Sequence, residues 1–306
     1  MLNSGVRFFF VMNIKFFGNL FCVLILTLIV INQANAFDTD TLRVSQLLLK
    51  VADLRQKNPD SAMVYVDEAY QLAESLNDEE WIGRSLYFKG ILQFVGGHYP
   101  ESLSSYQRAL DLFTKKKLQT RIPPLLANIG MIYSRTGDYE TAVNYYLQAL
   151  KLAEGMSDQQ LQGKIYNSLG IISKQQSNYK EAIQYYNKAF ALFKAMNNQL
   201  EVAGTYTNLS NVYIKSGRLD SSILINKKAL SIFDSLGNQR GKVTCYNNLA
   251  EAYRLLNDNP SALTYLTMSL KVSSSQKALR SNYIIAQTEL GNVQVAMGIY
   301  RKQNAI

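Results

Sequence analysis

The sequence predicts an all-α protein, an α-solenoid of antiparallel helix pairs, and three columns of small residues carry that prediction. With Gly130 as origin, positions forty residues apart hold Gly90, Gly130, Gly170, Ser210 and Ala250. Twelve residues further on stand Ser102, Ala142, Ala182, Ser222 and Ala262, and nineteen further on Ala109, Ala149, Ala189, Ala229 and Ser269. Small side chains recur where two helices must approach closely, so each column marks a helix contact made once per unit. With only five prolines and 47% hydrophobic residues, the chain fits a helical array with a sizeable core better than a sheet.

Residues 1–36 read as an export signal. The run from Phe16 to Ile31 is apolar except for Gly18, Asn19 and Thr27, and Ala34-Asn35-Ala36 follows it as a small-x-small cleavage site. Met12 is an alternative start, with Lys15 as the positive end. Cleavage after Ala36 predicts a periplasmic or extracellular protein. An uncleaved signal anchored in the inner membrane is the alternative, and a membrane association is expected only in that case, although the run is short for a span of about 20 residues. Loss of Arg7 and Lys15 lowers the formal net charge from +9 to +7. The mature chain then keeps one cysteine, Cys245, whose place in a helix suggests packing rather than a disulfide.

Residues 37–77 align as a divergent first repeat, since Ala62 and Ala69 stand forty residues before Ser102 and Ala109. Five units of forty residues fill 78–277. Asp78, Asp158, Asn198 and Asn238 share a column suited to helix N-caps. Within the units the turns read Gly97-His98-Tyr99, Gly137-Asp138-Tyr139, Ser177-Asn178-Tyr179 and Gly217-Arg218-Leu219. The first position of each suits a left-handed residue that ends a helix. Asn178 with Glu181 fits a capping box. Pro123-Pro124 should shorten one first helix, with Thr120 as its cap. Residues 278–306 read as a last, unpaired helix with Gly291 one place off register. Tyr283, Ile284, Ile285, Leu290, Val293, Val295, Met297 and Ile299 make it apolar on more than one face, so self-association through it is an expectation.

One residue before the origin come Ile129, Leu169, Leu209 and Leu249, and four before it Leu126, Tyr166, Tyr206 and Tyr246. The resulting motif reads YNSLG, YTNLS, YNNLA. These residues resemble the tetratricopeptide-repeat family, in its long variant with forty-residue units as in the kinesin light chain. The resemblance covers roughly 40 to 303 and departs in one respect: no proline closes each unit, and polar caps do so instead. It implies that one helix of each pair lines a concave groove that takes protein or peptide partners. The chain also looks like the sensory ectodomains of some bacterial two-component-type signalling proteins.

No chemistry of catalysis is legible. His98, the one histidine, occupies the turn column held elsewhere by Asp138, Asn178 and Arg218. There is no metal-ligand spacing, no phosphate-cradling glycine loop, and no basic run beyond Lys115, Lys116 and Lys117, so neither metal, cofactor nor nucleic acid is expected. A hydrolase relying on carboxylates alone would have Glu251 as its sole candidate.

What remains is the helix face turned away from the small columns. It offers Asn128, Asn208 and Asn248 in one column, with Asn211 and Glu251 a turn on and Arg135, Gln175 and Lys215 beyond. Asn167, Asn247, Lys174 and Arg254 lie beside them. Each amide both donates and accepts, as a peptide backbone requires, and the cations favour an acidic stretch or a free C-terminal carboxylate. The sequence therefore points to an exported, non-enzymatic scaffold binding an extended peptide or protein.

Overall fold

A computed structural model describes residues 39–274 and 279–297. The expected signal segment and residues 298–306 lie outside the described residues. The described residues contain no strand. Residues 39–54 form α1. There follow α2 (Pro59–Ser75), α3 (Glu79–Val95), α4 (Tyr99–Lys115), a 3-10 turn (Gln119–Arg121), α5 (Ile122–Thr136), α6 (Tyr139–Gly155) and α7 (Gln159–Gln175). The rest are α8 (Tyr179–Ala195), α9 (Gln199–Lys215), α10 (Leu219–Ser235), α11 (Gln239–Leu255), α12 (Asn259–Ser273) and α13 (Arg280–Ala296).

The punctuation is stricter than the forty-residue pattern suggests. A left-handed residue stands every twenty positions: Asn77, Gly97, Lys117, Gly137, Ser157, Ser177, Asn197, Gly217, Gly237 and Asn257 all have positive φ. At most of these turns the next amide reaches back five residues, as Asp158 N does to Ala153 O at 2.9 Å, which satisfies a carbonyl the helix end leaves open. Seventeen helical residues and a three-residue turn therefore make one half-unit.

The N-caps form at Asp78, Asp158, Asn198 and Asn238, where each side chain accepts a backbone N–H of the first turn. Asp138 and Asp258 do the same. Asn178 does not: its side chain makes no cap bond. The expected capping box is absent because Glu181 accepts from the Ser173 hydroxyl at 2.9 Å instead. Thr120 is not a cap either, since it sits inside the 3-10 turn that leads into α5. Pro123 and Pro124 occupy the first turn of α5, where a missing N–H costs nothing, and that helix is 15 residues long against the usual 17.

The chain divides into two compact units, up to Leu125 and from Leu126, the division falling inside α5. In the first unit, Val44, Leu47, Leu48 and Val51 of α1 pack with Ala62, Val66, Ala69 and Ala73 of α2, and Leu92 of α3 joins them. In the second, each helix packs on the next in sequence from α6 to α13. The first helices of successive pairs are also neighbours, α7 with α9, α9 with α11 and α11 with α13.

The small columns are buried: Ala142, Ala149, Ala182, Ala189, Ala229 and Ala262 are fully enclosed. The origin column has a more specific reason than close helix approach. Gly170 receives the ring of Tyr186 from the second helix of its pair, and a Cβ there would lie 2.7 Å from that ring. The tyrosines of the YNSLG-type motif do reach the partner helix, where Tyr166 stacks on Tyr185 and Tyr246 lies against Tyr265, but Tyr166, Tyr206 and Tyr246 are only half-buried. The position before each is the enclosed one, occupied by Ile165, Thr205 and Cys245.

Candidate functional site

The face of the second unit where α5, α7, α9, α11 and α13 supply their free stripes carries the sequence-predicted residues. Each of these helices contributes through the same turns, so side chains forty residues apart stand in rows. Asn128, Asn208 and Asn211 are half-buried, and none has a hydrogen-bond partner among the described residues.

The other amides are engaged. Asn167 and Thr205 lie side by side, the amide donating to the hydroxyl at 3.3 Å. Asn247 accepts from the Ser269 hydroxyl at 2.6 Å, and Asn248 donates to the Thr207 carbonyl at 3.5 Å. The asparagine row is thus partly a structural tie between helices rather than a continuous free ladder.

The charged residues form two groups. Towards α13 they are paired: Lys215 Nζ lies 3.5 Å from Glu251 Oε1, and Arg254 Nε lies 3.2 Å from Glu289 Oε2. Towards α5 they are not. Arg135 and Lys174 have no carboxylate partner among the described residues, and both line a pocket of about 310 Å³ with Asn208, Tyr146, Met131 and Ile171. Burial holds the Lys174 ammonium below its ordinary pKa, and the like charge of Lys215 adds to that. Burial raises the Tyr146 phenol, offset by the Ser168 hydroxyl and by Arg135.

Met131, Ser134, Ile171 and Tyr146 are lining residues that the sequence reading missed. Met131 and Ile171 share a column with Asn211 and Glu251, so the signal was present, but an apolar residue in a polar row reads as noise until the pocket is seen. Tyr146 belongs to the row Tyr106, Tyr146 and Tyr186 on the second helices, which is buried against the glycine column.

Among the described residues no group of three or more His, Cys, Asp or Glu could hold a metal ion, and no helix is long and apolar enough to cross a membrane. His98 heads α4 without a side-chain cap bond. Cys245 is buried, with its thiol pushed up to about 12.

Helix pairs of this length, stacked in order with left-handed residues between them, define a helical-repeat protein. The family model for the tetratricopeptide repeat matches residues 122–195 and 201–275, and the helix pairs over those residues are tetratricopeptide repeats. No curated protein matches the sequence. Among solved structures, BtubC (BKLC) from P. vanneervenii is 19% identical, with a TM-score of 0.61 over 72% of this chain and 92% of that one. A Rap protein complexed with Competence and Sporulation Factor is 18% identical, with a TM-score of 0.63 over 84% and 76% of the two chains. NprR in complex with its cognate peptide NprX is 11% identical, with a TM-score of 0.63 over 86% and 75%.

Proposed function

We propose that the protein is a non-catalytic scaffold whose first-helix face binds an extended peptide or a segment of a protein partner. The observation that carries this is the set of amides without a side-chain partner among the described residues, Asn128, Asn208 and Asn211, on the same face as a pocket that no described side chain fills. Free amides on a built surface match the alternating donors and acceptors of a peptide backbone. A Rap protein and NprR, similar in fold, were solved with a bound factor or peptide, which supports a peptide or protein ligand here as well.

Selection of a random peptide library on the full chain, followed by binding of the recovered peptides to Asn128→Ala with Asn211→Ala, tests this. Two lost amide bonds at about 1 kcal/mol each should weaken binding by about tenfold or more. Peptides that bind the double variant as tightly as the wild type would remove the groove assignment.

The place of action belongs to the same proposal. The apolar run and Ala34-Asn35-Ala36 support export to the periplasm or beyond, and mass determination of the protein recovered from its native host would show a chain beginning at Phe37. A sensory ectodomain is the alternative. It would use the same face to report a ligand to a membrane-bound signalling partner, and recovery of the uncleaved chain in the membrane fraction would favour it.

A further inference from the structure

The charged rows of the groove change character along the second unit. Between α9 and α13 the two groove cations each meet an acid on the next first helix: Lys215 meets Glu251, thirty-six residues on, and Arg254 meets Glu289. The same arithmetic applied two pairs earlier gives Arg135 and, thirty-six residues on, Ile171. Lys174 stands two pairs before Arg254, and the position answering to Glu289, allowing for the one-residue slip of register beyond Ser274, is Asn208. Both acids of the ladder are therefore replaced by neutral residues at one place, while both cations are kept.

That place is the pocket. Arg135, Lys174, Ile171 and Asn208 all line it, and no carboxylate does. Ile171 is 37% exposed and Met131 lies beside it, so an apolar surface adjoins the two cations. Lys174 is desolvated there and repelled by Lys215, with no carboxylate in the lining, and a ligand anion relieves that cost more than it would at an isolated surface lysine.

We propose that the ligand supplies the acid missing from the ladder: a peptide carboxylate seats between Arg135 and Lys174, and an adjoining apolar side chain lies on Met131 and Ile171. This rests on the groove function above and names the class of peptide it takes. The carboxylate is either an acidic side chain or a chain terminus, and the two sources are separable.

The test uses the full chain and four synthetic peptides, with affinity read by fluorescence anisotropy at low and at high salt. Acetyl-Ala-Leu-Glu-Leu-Ala-amide is compared with its Gln counterpart, and acetyl-Ala-Leu-Ala-Leu with a free C-terminal acid is compared with its amide. One acidic member should bind about tenfold tighter than its neutral twin at low salt, and less so at high salt. The pair that discriminates identifies the source. Ile171→Glu with Asn208→Glu completes the ladder internally and should abolish the preference for the acid. Arg135→Gln with Lys174→Gln should do so by the opposite route. Gln148→Glu with Asn187→Glu, which adds equal charge on exposed positions of α6 and α8, should leave it intact.

Equal binding of acid and neutral peptides by the wild type, an acid preference that survives in the completed ladder, or its loss in the α6 and α8 control overturns the proposal. If neutral and acidic peptides bind alike and Asn128→Ala with Asn211→Ala weakens both, the groove function stands without this inference. If no peptide binds at millimolar concentration, both fall.

Discussion

At the scale of single residues, the same substitution should have opposite signs at two glycines. In Gly170→Ala the added methyl meets the fully buried Tyr186 ring at 2.7 Å, and ring and helices must shift. Overpacking of that kind costs about 1 to 3 kcal/mol. In Gly204→Ala, inside α9, nothing lies within 4 Å of the new atom, so the helix gains about 0.5 to 1 kcal/mol from the lost backbone freedom. Urea midpoints of the two variants should move in opposite directions from the wild type. Cys245 offers a second residue-level check. Its thiol is pushed up to about 12 from an ordinary value of 9.0, because burial disfavours the thiolate. Stability from this group is intact below pH 9 and declines as pH rises towards the folded value, where ionisation favours the unfolded chain. At pH 8 a thiol reagent should label the native protein far more slowly than the urea-unfolded one, and equal rates would contradict the burial.

At the scale of elements, the caps and the ladder make distinct predictions. The Asn238 side chain accepts from Gly241 N at 2.8 Å, so Asn238→Ala should destabilise α11 by about 1 kcal/mol, read as a lower thermal midpoint. Asn178→Ala removes no cap bond and should cost much less, which a matched melt would show. The ladder sets the charge of each first helix. Glu251→Gln frees Lys215 and should extend the stretch that attracts acidic peptides towards α11, so the salt dependence of their binding should steepen. An unchanged salt dependence would mean that the 3.5 Å pair does not neutralise Lys215. α13 differs from the other helices in leaving Ile284, Ile285 and Val295 exposed while Ala286 and Val293 pack against α12 and its neighbours.

At the scale of the whole molecule, stability in an array is the sum of each pair's own stability and its contacts with the next. Within the second unit, among the described residues, α7 to α11 have packed neighbours on both sides and α13 on one. Amide hydrogen exchange should therefore be slowest in α7, α9 and α11 and fastest in α12 and α13, with unfolding that spreads from α13 rather than in one step. Uniform protection from α6 to α13 would show the unit to be cooperative throughout.

Much of this was legible beforehand, and the reason is locality. Caps at Asp78, Asp158, Asn198 and Asn238, and left-handed ends at Gly97, Gly137, Ser177 and Gly217, depend on a few adjacent residues, so residue type and spacing announce them. The period itself follows, because a unit that repeats must repeat its contacts. The Asn178–Glu181 box failed for the complementary reason: Ser173, on the preceding helix, competes for the same carboxylate at 2.9 Å. By itself the sequence determined an all-helical array of paired segments, its punctuation and its buried small columns. Only the tertiary structure decided that tyrosine rings fill the glycine column, that Asn167, Asn247 and Asn248 tie helices together, and that two cations meet no acid where Ile171 and Asn208 stand. Those outcomes depend on how far one helix slides and turns against the next, and that offset is fixed by side-chain packing rather than by any short stretch of chain.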